Sequence, residues 1–466
     1  MMKYVRFLVP VLVPAIILLL PAPAGLSLPA WQLFAMYIAA ILGLVLRPVS
    51  EPIVLLVVIS VSSICFNNLA VMLSGFSNGT AWLVFTAFML GQAFIETGLG
   101  LRIAYILIGK IGKTTLGLGY VAALTDLVIS PAIPSNTART GGVVYPIFRS
   151  LAVTLDSTPG PSARRIGGYL TVLLYQISLT TSAIFLTAQA VNPLVATFAK
   201  SILKVDVTWL SWAQANIVPG LIILLVVPYL VYKIFPPELK HIENNEISQK
   251  GLAKIGPTTR REKILMALFI LALVSWATGS ITKIDPTAVA ICFITSCLVT
   301  GVISWENLLN AKGAWTTFIW YAGIISLADG LAKAKFFSWC SDYLAHHISF
   351  VGYNDYVVLF GLLVLSIVAR YFFASAAAYV TSFIPVLFSL GMVANVPLLA
   401  LTYMMGASAA YSALLTHYGN AAAPVLFGTG YVDQKTWWMV GTAVTVLCAV
   451  VYMTIGLPYW KWLGLW

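Results

Sequence analysis

Residues 134–146 read PSNTARTGGVVYP and lie between two long apolar runs. The stretch is polar, carries a full charge at Arg139, and contains the helix-weakening pair Gly141-Gly142. At membrane depth such a segment is tolerated only where protein buries it or where it lines a wet cavity. An ionisable group in that position points to a transport or ligand role.

The surroundings set that depth. The chain has 466 residues, of which 60% are hydrophobic and 9% charged. A soluble domain carries about a quarter charged residues. Apolar runs recur along nearly the whole length, so the pattern predicts an all-α polytopic membrane protein in a lipid bilayer. A β-barrel would show alternating segments of about ten residues instead. The net charge of +11 is scattered through short loops, which argues for cytoplasmic loops and against a nucleic-acid partner. Cys65, Cys292, Cys297, Cys340 and Cys448 show no ligand spacing and read as packing residues, with no metal cluster or disulfide framework.

The hydropathy pattern predicts about 11 transmembrane helices. They fall at 7–22, 30–46, 53–70, 80–98, 168–198, 209–234, 264–280, 286–303, 314–331, 398–428 and 436–460. Residues 3–24 also resemble a signal peptide, but the next span follows at once and favours a helix. Two regions remain, about 115–150 and 354–395. Each is apolar, interrupted in the middle, and too long for one span, so each reads as a re-entrant hairpin. The expected organisation is an N-terminal helix over 1–29, a first repeat over 30–235, a solvated cytoplasmic linker over 236–263, and a second repeat over 264–466. The lysines Lys200, Lys204, Lys283, Lys333, Lys335 and Lys461 fall on one face. Most of the other basic residues, Lys3 included, fall on the opposite one. The charge rule then puts the N-terminus in the cytoplasm and the C-terminus outside the cell (inner) membrane.

The halves resemble each other. Residues 81–99 read AWLVFTAFMLGQAFIETGL and residues 314–331 read AWTTFIWYAGIISLADGL. Each is followed by an amphipathic stretch, then an interrupted hairpin, then a span with its own weak point. The interruptions are Ser135-Asn136-Thr137 and Ser375-Ala376-Ala377. An odd number of spans per half inverts the second copy. Inverted repeats with helices broken at the midplane are the sequence pointer to a secondary transporter.

A hairpin tip at mid-membrane offers helix N-terminal N–H groups and about half a positive charge. Ser135, Asn136 and Thr137 add hydroxyl and amide groups suited to a carboxylate. Arg139 offers a planar two-bond clamp, with a structural counter-charge to helix-end carbonyls as the alternative. Arg370, just before three aromatic residues, reads as an interfacial anchor. Glu96, Asp126, Asp329 and Asp342 read as helix-end or packing acids rather than proton couplers. His417 reads as a hydrogen-bonded wall of the site, with a proton relay as the alternative. No phosphate loop is present to drive a pump.

At PSNTARTGG (134–142), PSARRIGGYL (161–170), RYFFASAAAY (370–379) and THYGNAAAPVLFGTGY (416–431), the chain resembles the divalent anion:Na⁺ symporter family. It is most similar to the bacterial and plastid branch of 2-oxoglutarate/malate translocators and citrate/succinate or tartrate/succinate antiporters. The resemblance implies a scaffold that forms a homodimer and an elevator-type transport domain, with no enzyme activity. It implies a Ser-Asn-Thr motif at each hairpin tip. The first is intact, but the second matches only at Ser375. It places the breaks of the following spans near Thr181-Ser182 and Gly419-Asn420. Sodium, the one cofactor implied, would sit near Ser135, Asn136 and Ser375. The expected cargo is a small di- or tricarboxylate such as 2-oxoglutarate, malate or succinate, moved by exchange. Sodium-coupled symport is the first alternative. An intramembrane hydrolase using a serine and His417 is a remote one.

Overall fold

A computed structural model describes residues 2–348, 350 and 352–466, without the side chains of Met2, Lys3 and Ser280. The Lys3 charge counted above therefore lies outside the described residues. Among the described residues every regular element is a helix, and one bridge between extended residues joins Thr114 to His241. Among the described residues, six helices are long and apolar enough to cross a membrane. Shorter apolar helices such as Glu51–Phe66 and Pro286–Val299 lie between them.

The two halves run through the same order of elements. In the first, Gly79–Thr97 is followed by Leu99–Ile111, then Thr115–Ile129, a break, and the arm Tyr145–Thr154. Next come Gly167–Ile184, a second break, Val191–Phe198, and Trp209–Ile234. The second half repeats this as Lys312–Lys333, Phe336–His347, Asp355–Arg370, a break, and Ala376–Val393. Leu398–Tyr411, a break, Ala423–Phe427 and Gln434–Val451 complete it. The corners match as well. A left-handed residue, Gly98 (φ 73°) or Lys335 (φ 58°), turns the long helix into the amphipathic one in each half.

Gly167–Ile184 is the centre of the molecule. All 18 of its residues are buried, as expected of a helix packed on every side. It packs on Trp209–Ile234, Leu398–Tyr411, Thr115–Ile129 and Tyr145–Thr154. Its counterpart Leu398–Tyr411 is buried from Ala400 to Tyr411. The expected single spans 168–198 and 398–428 are thus each two helices with a non-helical joint. The packing role expected of the cysteines holds for Cys297 and Cys448, which are buried. Cys65 and Cys292 are instead exposed.

The linker is mostly exposed, but it is not a loose tether. Its residues Asn244–Ile255 form a helix laid along the amphipathic Leu99–Ile111. The Asn244 amide donates to the carbonyls of Ile108 (3.0 Å) and Gly109 (2.8 Å), and Ser248 donates to that of Tyr105 (2.8 Å). Asn244, Ser248 and Gly251 share one face, which a polar sequence conceals. Beyond this helix, Arg102 grips Glu262 through two bonds of 2.6 and 3.1 Å and donates to the Gly256 and Pro257 carbonyls. Burial works against the Glu262 charge, yet hydrogen bonds from Arg102 and from the Thr259 N–H outweigh it and hold the carboxyl below its usual range.

Arg102→Ala leaves Glu262 buried without its partner and is expected to cost about 3–5 kcal/mol, read as a lower melting temperature of the purified protein. A depressed carboxyl contributes stability above its ordinary range and loses it as pH falls through the depressed value. The melting temperature of the wild type should therefore drop on acidification by more than that of Arg102→Ala.

Candidate functional site at the helix breaks

The first break begins where Thr115–Ile129 ends at Ser130. Pro131 and Pro134 lack the N–H that would continue the ladder. Ser135 restarts it: its Oγ accepts from the Ala138 N–H at 3.2 Å. The next turns, Thr137–Val144, are wound as a wide π-helix, a form common at functional sites. Ser135 and Thr137 are half-buried. The Asn136 side-chain nitrogen donates to Ser182 Oγ (2.6 Å) and Ser178 Oγ (3.1 Å) on the central helix. Its carbonyl oxygen is the end left for other partners, so Asn136 offers an acceptor where the sequence led us to expect a donor.

Arg139 is fully buried. Its Nε meets Asp126 Oδ1 and Oδ2 at 3.1 and 3.2 Å. Nη1 donates to the carbonyls of Ile133 (2.8 Å) and Ala188 (2.7 Å). Nη2 donates to the Ser178 carbonyl (2.9 Å), Thr181 Oγ1 (3.2 Å) and Ser182 Oγ (2.9 Å). Thr181 in turn donates to Asp126. Every nitrogen of the guanidinium has an internal partner, and Asp126 neutralises its charge. Of the two roles weighed for Arg139, the geometry matches the counter-charge to helix-end carbonyls.

Thr181 and Ser182 lie inside the helix Gly167–Ile184, not at its break. Their hydroxyls bond back to the Ile177 and Ser178 carbonyls and keep the turn helical. The break comes about one turn later. There Asn192 donates to the Ser182 (2.7 Å) and Phe185 (3.0 Å) carbonyls, and the Ala190 N–H reaches the Pro134 carbonyl at 3.1 Å.

In the second half, Ser375 plays the part of Ser135. Its Oγ accepts from the Ala378 N–H at 3.3 Å and starts Ala376–Val393. Ala376 and Ala377 bring no side-chain oxygen. Arg370 is not an interfacial anchor: it is 1% exposed. The turn after it folds the guanidinium inward onto the carbonyls of Ser375 (2.9 Å) and Gly419, over the Tyr379 ring at 5.1 Å. Its Nε has no partner. Among the described residues no carboxylate pairs with it.

Gly419 and Asn420 do lie in a break, between Ser412–Leu415 and Ala423–Phe427. A Cβ on Gly419 would run into the Ala413 carbonyl. Asn420 Oδ1 accepts from the N–H groups of Ala422 (2.9 Å) and Ala423 (3.1 Å), so its oxygen caps the next helix. His417 is half-buried among Phe427, Tyr418 and Trp438, and its Nδ1 lies 3.0 Å from the indole nitrogen of Trp438.

The breaks of the two halves are joined through the central helix. Asn136 holds Ser178. One turn earlier, the Tyr175 hydroxyl donates to the Ala413 carbonyl at 2.7 Å. Ala413 lies under Gly419, whose carbonyl takes Arg370, which also holds the Ser375 carbonyl. Asp126, Arg370, Tyr175 and Trp438 were missed as members of this assembly. Asp126 and Arg370 had a legible signal, a charge inside an apolar helix. The other two had none.

Two polar cavities open elsewhere, the first of them reaching Leu186 in the break after the central helix. One of about 540 Å³ is lined by Lys200, Asp206 and Asp329, and one of about 560 Å³ by His241, Glu246 and Lys250. Their charges answer one another, as in Lys200–Asp206 at 2.9 Å and Lys250–Glu246.

Asp126→Asn would leave Arg139 buried without a counter-charge. It is expected to lower stability by about 3–5 kcal/mol, read as a large loss of melting temperature. Asp126→Asn combined with Arg139→Met should recover most of that loss.

The profile of the sodium:sulfate symporter transmembrane region matches residues 1–466. The chain is 46% identical over 461 residues to the inner membrane protein YbhI of Escherichia coli, covering 97% of this chain and 96% of that one. It is 36% identical to the L-tartrate/succinate antiporter of the same species, covering 97% of each. The fold is similar to the crystal structure of the Alcanivorax borkumensis YdaH transporter, with a TM-score of 0.55 at 12% identity over 84% of this chain and 88% of that one. A charged helix-break assembly inside a helical membrane fold, with a full-length profile match, makes this chain a member of the sodium:sulfate (divalent anion:Na⁺) symporter family of transporters.

Proposed function

We propose that the protein exchanges small dicarboxylates, of the size of succinate, malate or 2-oxoglutarate, across the cell membrane without sodium. The observation that carries this reading is the occupancy of the backbone carbonyls at both breaks. Sodium needs several oxygen ligands. At the first break the Ile133, Ala188 and Ser178 carbonyls accept from Arg139. At the second, the Ser375 and Gly419 carbonyls accept from Arg370, and Ala376-Ala377 supply no side-chain oxygen. At the second break few oxygens remain for a sodium ion, whereas at the first the Asn136 oxygen and the Ser135 and Thr137 hydroxyls remain, so the sodium-free reading rests on the second break; no step here runs through a sodium ion.

The two arginines act differently. Arg139 is neutralised by Asp126, so it supports the fold and adds no net charge. Among the described residues Arg370 pairs with no acid, and it adds one positive charge behind the start of Ala376–Val393, where the Ser375 hydroxyl also lies 3.5 Å from Glu51 Oε1. That helix start, with its own positive end, faces the cargo. Moving an unpaired buried charge across the bilayer costs several kcal/mol. A bound dianion gives that charge a partner and leaves a net charge of −1 on the pair, and in this reading only the paired form crosses. Exchange follows. In this reading the interrupted regions 115–150 and 354–395 are hairpins entering from opposite faces. Ser135, Thr137, Ser375 and His417 contact cargo, whereas Asn136, Arg139, Thr181, Ser182, Gly419 and Asn420 hold the breaks in shape. The hairpins and their following helices move as one body against a dimeric scaffold, with the N-terminus in the cytoplasm. A relative that exchanges tartrate for succinate supports the class of cargo.

Proteoliposomes test it. Labelled succinate uptake is expected to need unlabelled dicarboxylate inside, with at least about tenfold less uptake into empty vesicles. Arg370→Gln should weaken succinate, raising its KM by about tenfold, or ~1.4 kcal/mol. Equal uptake into empty and loaded vesicles would overturn the reading.

A further inference from the structure

His417 lies in the second break, and Trp438 belongs to the helix Gln434–Val451 packed beside it. The nitrogen–nitrogen distance between Trp438 Nε1 and His417 Nδ1 is 3.0 Å. An indole nitrogen carries one hydrogen and can only donate. Nδ1 therefore accepts, and the ring hydrogen sits on Nε2. Among the described residues no protein group takes that Nε2 hydrogen. The ring is also held in place. It lies 4.6 Å from the Phe427 ring, 6.0 Å from Trp438 in a stacked arrangement, and 5.2 Å from Tyr418 edge-on. Tyr371 backs Trp438 edge-on at 5.9 Å. The neighbouring polar groups are occupied: the Asn420 oxygen caps a helix and the Gly419 carbonyl takes Arg370.

We propose that Trp438 is a positioning residue. Its indole N–H fixes His417 in the tautomer that presents Nε2–H, and this hydrogen is donated to a carboxylate oxygen of the cargo. The proposal rests on the anion-exchange reading above. Without the indole donor, a neutral imidazole divides between two tautomers. In the other one, a lone pair on Nε2 faces the carboxylate and repels it. A partner that orients a ligand-binding histidine through its far nitrogen is a recurrent device at metal sites. Here the direction is reversed, because the partner is a donor and the histidine is left as a donor in turn.

The test combines transport with a direct view of the ring. Nitrogen-labelled histidine in the purified wild type should give a proton-bearing signal for His417 Nε2 and a bare one for Nδ1, assigned by comparison with His417→Gln among four histidines. In Trp438→Phe the two signals should mix. In succinate exchange, Trp438→Phe should raise KM with the maximal rate within about twofold; tautomer mixing alone accounts for about a twofold rise, and loss of the ring's fixed orientation adds to it. His417→Gln, whose amide nitrogen falls near the Nε2 position, should stay within about threefold of wild type. Adding Trp438→Phe to it should change KM little. A proton found on Nδ1 in the wild type overturns the proposal. So does an equal rise in KM when Trp438→Phe is placed on either background, because the indole would then be acting as packing. So does a loss in His417→Gln as complete as in His417→Ala. A wild type that exchanges no dicarboxylate would refute the proposed function instead, and the ring signals would still report the tautomer.

Discussion

A helix broken inside a membrane frees backbone carbonyls that have no water to turn to, and each one left unsatisfied costs several kcal/mol. In this protein two arginines satisfy them. Arg139 gathers carbonyls from three segments around one guanidinium, and Arg370 bridges Ser375 and Gly419. The breaks can persist because these cations fill them. The central helix Gly167–Ile184, buried along its length, then carries both breaks on one rigid element.

The two halves share an order of helices and corners but not their charge. The first closes its break with an ion pair, Arg139–Asp126 at 3.1 Å, and adds nothing to the net charge. The second leaves Arg370 without an acid and with a free Nε. It also carries His417, held by Trp438. The unpaired guanidinium nitrogen and the imidazole thus both lie in the second half. Such a site is polar enough to recognise an anion and lacks a second fixed positive charge in contact with it. That balance suits a carrier, which must release what it binds.

Much of this was legible in the sequence because apolar runs report depth and interruptions report breaks. The helices Leu28–Leu46, Gly79–Thr97, Trp209–Ile234 and Gln434–Val451, the amphipathic stretches behind each Gly-Leu end, and both Ser-led interruptions fall where the pattern put them, whereas 168–198 and 398–428 are each broken in two. What failed did so for local reasons. The break expected near Thr181-Ser182 begins just past them at Phe185, because their hydroxyls bond back one turn and leave the joint to Asn192. Arg370 precedes three aromatics and resembles a surface anchor, and only the fold shows its side chain turned inward. The linker is polar in composition, but Asn244, Ser248 and Gly251 form a stripe that a neighbouring helix covers. In each case a side chain's direction, which residue type does not encode, decided the outcome.

The central claim is that guanidinium groups stand where sodium ions would be held. Radioactive sodium, followed together with labelled succinate in one vesicle preparation, measures this directly. The account predicts succinate exchange with no sodium entering above the passive leak. One or more sodium ions entering with each succinate would contradict it.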